Sequence, residues 1–303
     1  MAHLIKDLFN QAVSFLDEQD VFYGHGVALA EDEVVLLFMH VFNVDFQSLN
    51  QLAETRVDDK YKLQIESILK QRVQQRCPMA YLVGFSVFAG LKFKIDRRAL
   101  IPRSPFVELI DKGFSPWLSL DGSVNVLDLC TGSGCIGLAI AHYFPAVQVD
   151  LIDLSTAALS LAIENTNDLQ LNKRVKCIES DLFAQVQQRY DLIVSNPPYI
   201  AEEEYLGLPK EFVHEPKMAL VSRYQGMELP IKILQQAADY LTDDGYLFLE
   251  VGYNDEVLTA LFPKVAFDWI KFELGGQGIC VFSRADLLKY RDLFNHFLES
   301  HVA

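Results

Sequence analysis

From about residue 106 onward, short apolar runs alternate with segments of helical spacing, and that alternation restricts the chain to very few folds. Residues 125–130, 148–153, 175–179, 191–195 and 246–251 read as strands, each followed by a stretch long enough for a helix. Parallel neighbours require such crossovers, and the crossovers cover both faces of the sheet. The end of the chain breaks the pattern. Residues 267–274 and 279–283 are separated only by Gly275-Gly276-Gln277-Gly278, which predicts an antiparallel hairpin on the sheet edge, with a last helix expected over 286–299.

The first third of the chain has a different periodicity. Leu4, Leu8, Ala12, Phe15 and Leu16 recur at helical spacing, Ile65, Ile68, Leu69 and Val73 repeat the pattern, and residues 33–42 lie between them. Phe85, Val87, Leu91, Phe93 and Ile95 then alternate around Ala89-Gly90, so a β-hairpin is expected. The resulting division is a small helical domain over 1–84, the hairpin and a linker ending in Ile101-Pro-Arg-Ser-Pro105 over 85–105, and the α/β domain over 106–303.

Composition narrows the function. Half of the 303 residues are hydrophobic, but no apolar stretch reaches the roughly 20 residues that span a bilayer. The N-terminus lacks the apolar core of a signal peptide, so a cytoplasmic protein without membrane attachment is expected. Five scattered cysteines suit reduced packing residues, and Cys130 and Cys135 are not spaced as a zinc knuckle, so no metal is expected. A formal net charge of −15 argues against sequence-specific or general duplex DNA binding and favours a small ligand or a basic protein partner. One stretch runs the other way. Between Arg56 and Arg98, ten Lys and Arg face four acids, a local excess of +6 that would serve contact with RNA.

Two motifs carry chemistry. Asn196-Pro197-Pro198-Tyr199 closes the apolar run 191–195, setting a carboxamide at the end of a buried strand. A planar NH2 group is a poor nucleophile because its lone pair is delocalised; methylating it requires acceptors that take both N–H bonds and orient the nitrogen. Asn196 offers its side-chain oxygen. Pro197 presents a carbonyl with no competing donor of its own, and Tyr199 can stack on the planar group, so Asn196, Pro197, Pro198 and Tyr199 are the expected substrate-binding residues. Such catalysis is mostly positioning.

Upstream, Asp128-Leu-Cys-Thr-Gly132-Ser-Gly134-Cys-Ile-Gly137 follows the first strand of the sheet and opens a helix, a loop that brings a ligand close to backbone N–H groups. Asp153, ending the second strand, stands where an acid accepts ribose hydroxyls. Ser180-Asp181-Leu182 follows the third strand, with Asp181 placed as acceptor for an adenine amino group and Leu182 as an apolar wall; capping of the next turn is the alternative role for Asp181. Gly132-x-Gly134-x-x-Gly137 also satisfies the dinucleotide fingerprint. Asp128, positioned to meet a cationic amino-acid group, and the lack of a hydride-transfer dyad point instead to S-adenosylmethionine, held by Cys130, Thr131, Gly132, Ser133 and Gly134 together with Asp153, Asp181, Leu182 and Asn196.

Together these motifs resemble the glutamine N(5)-methyltransferases, the HemK/PrmC-like family, over nearly the whole chain. The resemblance implies a class I S-adenosylmethionine-dependent fold, Rossmann-like, with a mostly parallel seven-stranded sheet and an antiparallel edge hairpin, plus an N-terminal helical domain that recognises substrate. It implies that Asn196 and the Pro197 carbonyl hold a glutamine amide, and that S-adenosyl-L-homocysteine is released. Tyr23-Gly-His-Gly26, Arg103-Ser-Pro105, Cys130-Thr-Gly-Ser-Gly-Cys135 and His214-Glu-Pro216 look like the ribosomal-protein (PrmB-like) branch, whose substrate is large-subunit ribosomal protein L-three, free or in an assembly intermediate. His214 itself reads as a local hydrogen-bonding residue. The release-factor branch and the nucleic-acid adenine methyltransferases, which grip an amino group in the same way, are the alternatives.

Overall fold

The computed structural model describes residues 2–301. Strand β1 (Ala2–Leu4) leads into α1 (Ile5–Asp17), α2 (Ala30–Phe42) and α3 (Phe46–Gln51), and β2 (Arg56–Asp58) precedes α4 (Asp59–Gln75) and α5 (Met79–Val83). These helices bury one shared core that includes Leu16, Val34, Leu37, Phe38 and Leu69. Their ends follow from local chemistry. The Asp32 carboxylate accepts from the N–H groups of Ala28 and Leu29 at the start of α2, and Asn43 closes that helix in the left-handed conformation. The pairing of β1 with β2, antiparallel from Ala2 with Asp58 to Leu4 with Arg56, was not expected. Three-residue strands are too short to show a period of two.

The hairpin forms as read, β3 (Phe85–Phe88) against β4 (Leu91–Lys94). Ala89 and Gly90 both adopt positive φ, 47° and 75°, the backbone of a tight hairpin turn. After α6 (Phe106–Asp111) come β5 (Asn125–Leu129), α7 (Cys135–Tyr143), β6 (Gln148–Asp153), α8 (Thr156–Asp168), β7 (Val175–Glu179), β8 (Tyr190–Ser195), α9 (Glu202–Tyr205), α10 (Glu228–Gln236), β9 (Leu241–Glu250), α11 (Asp255–Leu261), β10 (Asp268–Trp269), β11 (Ile279–Ser283) and α12 (Arg284–His301). The sheet order is β10-β11-β9-β8-β5-β6-β7, with β5 to β9 parallel and β11 antiparallel to both of its neighbours. This is the mostly parallel seven-stranded sheet with an antiparallel edge.

Three boundaries differ from the sequence reading. The first strand of the sheet stops at Leu129 because Cys130 turns into positive φ, 62°. Strand β9 begins at Leu241 rather than at 246, running through Asp243-Asp244-Gly245, which resembles a turn in sequence but is absorbed at a register shift against β8. The edge strand β10 has only two residues, and beyond it the N–H groups of Glu273 and Leu274 donate to the Glu108 carboxylate instead of to a sheet neighbour. Among the described residues no helix is long and apolar enough to cross a membrane.

Candidate active site

The C-terminal ends of β5, β6 and β8 meet where the strand order reverses, the place where open α/β sheets bind ligands. Asp128 sits beneath the glycine loop, 1% exposed. One of its oxygens accepts from Thr131 Oγ1 at 2.6 Å and from Gly137 N at 2.9 Å. Burial pushes its carboxyl up to about 7. A side chain at Gly137 would come within 2.4 Å of Leu151, and one at Gly134 within 2.9 Å of Leu138, so both glycines serve the seating of α7 on the sheet. The contacts of Asp128 and Gly134, both expected at the ligand, also shape the turn and the packing of α7.

In front of the loop is a cavity with about 1010 Å³ of empty space, open to solvent. Cys130, Thr131, Gly132, Ser133, Asp153, Asp181, Leu182, Asn196 and Pro198 all line it. Asp153 accepts from Gly132 N and from Ser155 N, both at 2.8 Å, and burial raises its carboxyl above the usual range. Ser133 Oγ is buried there with no hydrogen-bond partner among the described residues, so the cavity holds an unmet polar atom of the kind a ligand satisfies. The apolar walls Ile152, Leu182 and Leu229 suit an adenine ring. Ser180, not Asp181, ties the following turn, its Oγ accepting from Gln185 N at 2.9 Å. These residues fit an adenosine bearing a polar tail. An Asp153→Ala variant is expected to weaken S-adenosylmethionine binding about tenfold or more, through loss of the ribose acceptor and of the bond to Gly132. Titration calorimetry with unchanged affinity would remove that role.

A second cavity, with about 1690 Å³ of empty space, opens on the other side of the β8 end and is lined by Pro197, Tyr199, Phe22, Phe212, Glu250 and Tyr253. Asn196 lines both cavities, as do Arg103 and Ser104. The strand end is held firmly. Ser195 Oγ donates to the Leu129 carbonyl at 2.7 Å, and Asn254 Nδ2 donates to the Tyr199 carbonyl at 2.6 Å. The Tyr199 ring packs on bare backbone, since a side chain at Gly252 would meet it at 2.8 Å.

The loop from residue 200 to 225 forms the outer wall of this second cavity. It closes through Ile200 N to Leu220 O, 2.8 Å, and Ser222 N to Ile200 O, 3.0 Å. Two buried glutamates pin it. Glu215 accepts both guanidinium nitrogens of Arg103 at 2.6 and 2.7 Å and Ile101 N at 3.1 Å. Glu211 meets Arg72 at 3.2 Å, Arg76 at 3.0 Å and Phe22 N at 3.0 Å, and Arg72 also binds Glu33 at 2.7 Å. His25 lies within 3.7 Å of Glu215 and 4.5 Å of the Phe212 ring, and burial lowers its pKa to about 3, so it is neutral. His214 hydrogen-bonds Arg97 and the Gln75 carbonyl, both at 2.8 Å, a local structural role. Three segments far apart in sequence, around His25, Arg103 and Glu215, thus meet in one cluster.

Much of the basic excess between Arg56 and Arg98 is consumed internally. Arg72 and Arg76 bind Glu211, Lys94 binds Asp168, and Arg98 binds Asp96 and Glu164. Spacing alone could not show those partners. In sequence Glu250 is one more acid at a strand end, whereas the fold leaves it 4% exposed beside Ser104.

Residues 112–226 match the family model described as the methyltransferase small domain. The chain is 38% identical to "Ribosomal protein uL3 glutamine methyltransferase" of Francisella tularensis, covering 98% of this chain and 95% of that one. Proteins of the same name from Xanthomonas campestris, 40% identical over 95% of this chain and 94% of that one, and Neisseria gonorrhoeae, 37% identical over 94% and 95%, are comparably similar. Among solved structures, the hMettl16 catalytic domain in complex with a 3'UTR hairpin aligns with a TM-score of 0.52 at 14% identity, covering 82% of this chain and 92% of that one, a likeness of fold.

Proposed function

The chain belongs to the family of ribosomal protein uL3 glutamine methyltransferases, and we propose that it transfers a methyl group from S-adenosylmethionine to the side-chain amide nitrogen of a glutamine in that ribosomal protein. The observation that carries this reading is the position of Asn196, which lines the loop-side cavity and the outer cavity at once. The cofactor, bound on the loop side, supplies an electrophilic methyl group. On the other side Asn196 Oδ1 and the Pro197 carbonyl accept the two amide hydrogens, which fixes the nitrogen's orientation. Tyr199, backed by Gly252, limits the tilt of the amide plane. Thr131, Ser133, Asp153, Asp181 and Leu182 hold the cofactor, and Pro198 separates its cavity from the acceptor's.

In this reading residues 1–84 recognise the substrate, residues 85–105 link, and residues 106–303 carry the chemistry. Its support is that Phe22 and Gly24 reach the wall of the outer cavity. The cytoplasm, where ribosomal proteins are made, is the place of action. Any contact with ribosomal RNA through residues 56–98 rests on Arg56, Lys60, Lys70 and Lys92, since Lys62 pairs with Glu66 and the other basic neighbours are engaged elsewhere. An acidic enzyme, at −15, is complementary to an unassembled ribosomal protein, whose composition is strongly basic.

The deciding experiment incubates the protein with methyl-labelled S-adenosylmethionine and, separately, free uL3, release factors and DNA. Label on a uL3 glutamine is expected, and its association with the enzyme should weaken as salt is raised from 50 to about 300 mM. Labelling of the release factor alone would transfer the chain to the other branch; labelling of DNA alone would show that the grip holds adenine.

A further inference from the structure

A glutamine amide that gains a methyl group must also lose a proton, and the two carbonyl-type acceptors that orient it cannot keep one near neutral pH. We infer that Glu250 receives that proton, making it a catalytic residue alongside Asn196; the inference rests on the glutamine reading above. Strand β9 runs parallel to β8 with Leu249 opposite Ser195, so Glu250 stands one strand across from Asn196 at the same level. It lines the outer cavity, yet is 4% exposed. Its backbone cannot drift, because Ile279 pairs with it and Val251 N donates to Gly278 O at 2.7 Å.

The other groups in that cavity are excluded on chemical grounds. Glu108 also lines it, but its oxygens are taken by Lys112 and the N–H groups of Glu273 and Leu274. Glu204 is exposed on the surface loop, Arg103 is a cation bound to Glu215, and burial raises the Tyr199 hydroxyl further from ionisation. Glu250 has one oxygen bound by Ser104 Oγ at 2.5 Å and no other side-chain hydrogen bond among the described residues. The charged and titratable groups facing it are Arg103 from the linker, Tyr199 from the end of β8 and Cys135 from the start of α7. Burial pushes its carboxyl up to about 8, while Ser104 and Arg103 pull it down. A base of that strength holds the proton long enough to pass it to solvent.

The step balances. The nitrogen bonds to the methyl carbon as the carbon–sulfur bond breaks, the electron pair stays on sulfur, and one of the two N–H protons leaves its orienting carbonyl for a Glu250 carboxylate oxygen while the nitrogen keeps the other.

The test compares the full-length protein with E250Q, a change that keeps an acceptor for Ser104. Expected is a kcat at least tenfold lower, with calorimetric affinities for S-adenosylmethionine and an acceptor-glutamine peptide within twofold of the parent. The parent's kcat/KM should rise with pH to a plateau with a midpoint near 8, and that limb should be absent in E250Q. Parent-like kcat in E250Q, or an unchanged acid limb, overturns the assignment. If E250Q does not fold, S104A serves: removing the donor to the ionised form should move the midpoint to higher pH, and an unmoved midpoint overturns the role. A parent protein that methylates no glutamine would overturn the underlying reading, an outcome distinct from loss in the variant alone.

Discussion

An Asn196→Ala variant is expected to lose methyl transfer by a factor of about 100 to 1,000 while binding S-adenosylmethionine within about twofold of the parent. The size follows from the loss of one preorganised polar group at a reacting centre, about 2.7–4 kcal/mol in other enzymes. The selectivity follows from the geometry, since Asn196 is only one of many residues lining the loop-side cavity but stands at its junction with the outer one. Single-turnover rates with calorimetry in parallel separate these effects. Turnover within threefold of the parent in Asn196→Ala would remove the acceptor role.

The largest stability effect is expected from Arg72→Ala. The Arg72 side chain is fully buried, as is that of Glu211, and Glu33 is nearly so. Removing the cation leaves two buried carboxylates facing one another with only Arg76 at the edge. Breaking a buried ion pair from one side costs about 3–5 kcal/mol. Urea unfolding monitored by circular dichroism should register that loss; a change below about 1 kcal/mol would mean that water reaches the cluster. A second readout distinguishes a local from a global effect. Because Glu211 precedes Phe212 in the wall of the outer cavity, the KM for protein substrate should rise more than that for the cofactor.

The fold was largely legible in the sequence because its signal is periodic. Strands buried on both faces, such as β5 and β8, cannot alternate, and crossovers such as α7 and α8 must show helical spacing. The glycine loop and the Asn-Pro-Pro-Tyr turn were legible because their residue types have backbone requirements that few others meet. What escaped were side-chain contacts between segments distant in sequence. Beyond β10, Glu108 captures two N–H groups from residues more than 160 positions away. Asn165, buried on α8, binds both Lys94 of the hairpin and the Ser133 carbonyl of the glycine loop, a link that no local pattern encodes.

The sequence by itself determined the chemistry at the strand ends: a glycine loop with an acid one strand away, and a carboxamide followed by prolines. These are local, because a turn's backbone needs and a group's hydrogen-bonding capacity belong to the residues themselves. Only the tertiary structure decided which partners each acid meets and which acids are left facing a cavity. Asp128 accepts from Thr131 of its own loop, Glu211 and Glu215 bind arginines from the N-terminal third and the linker, and Glu250 is left in the cavity with a single donor. The physical reason is that a carboxylate's role is set by its burial and its partners, and both are properties of the packed chain rather than of its order.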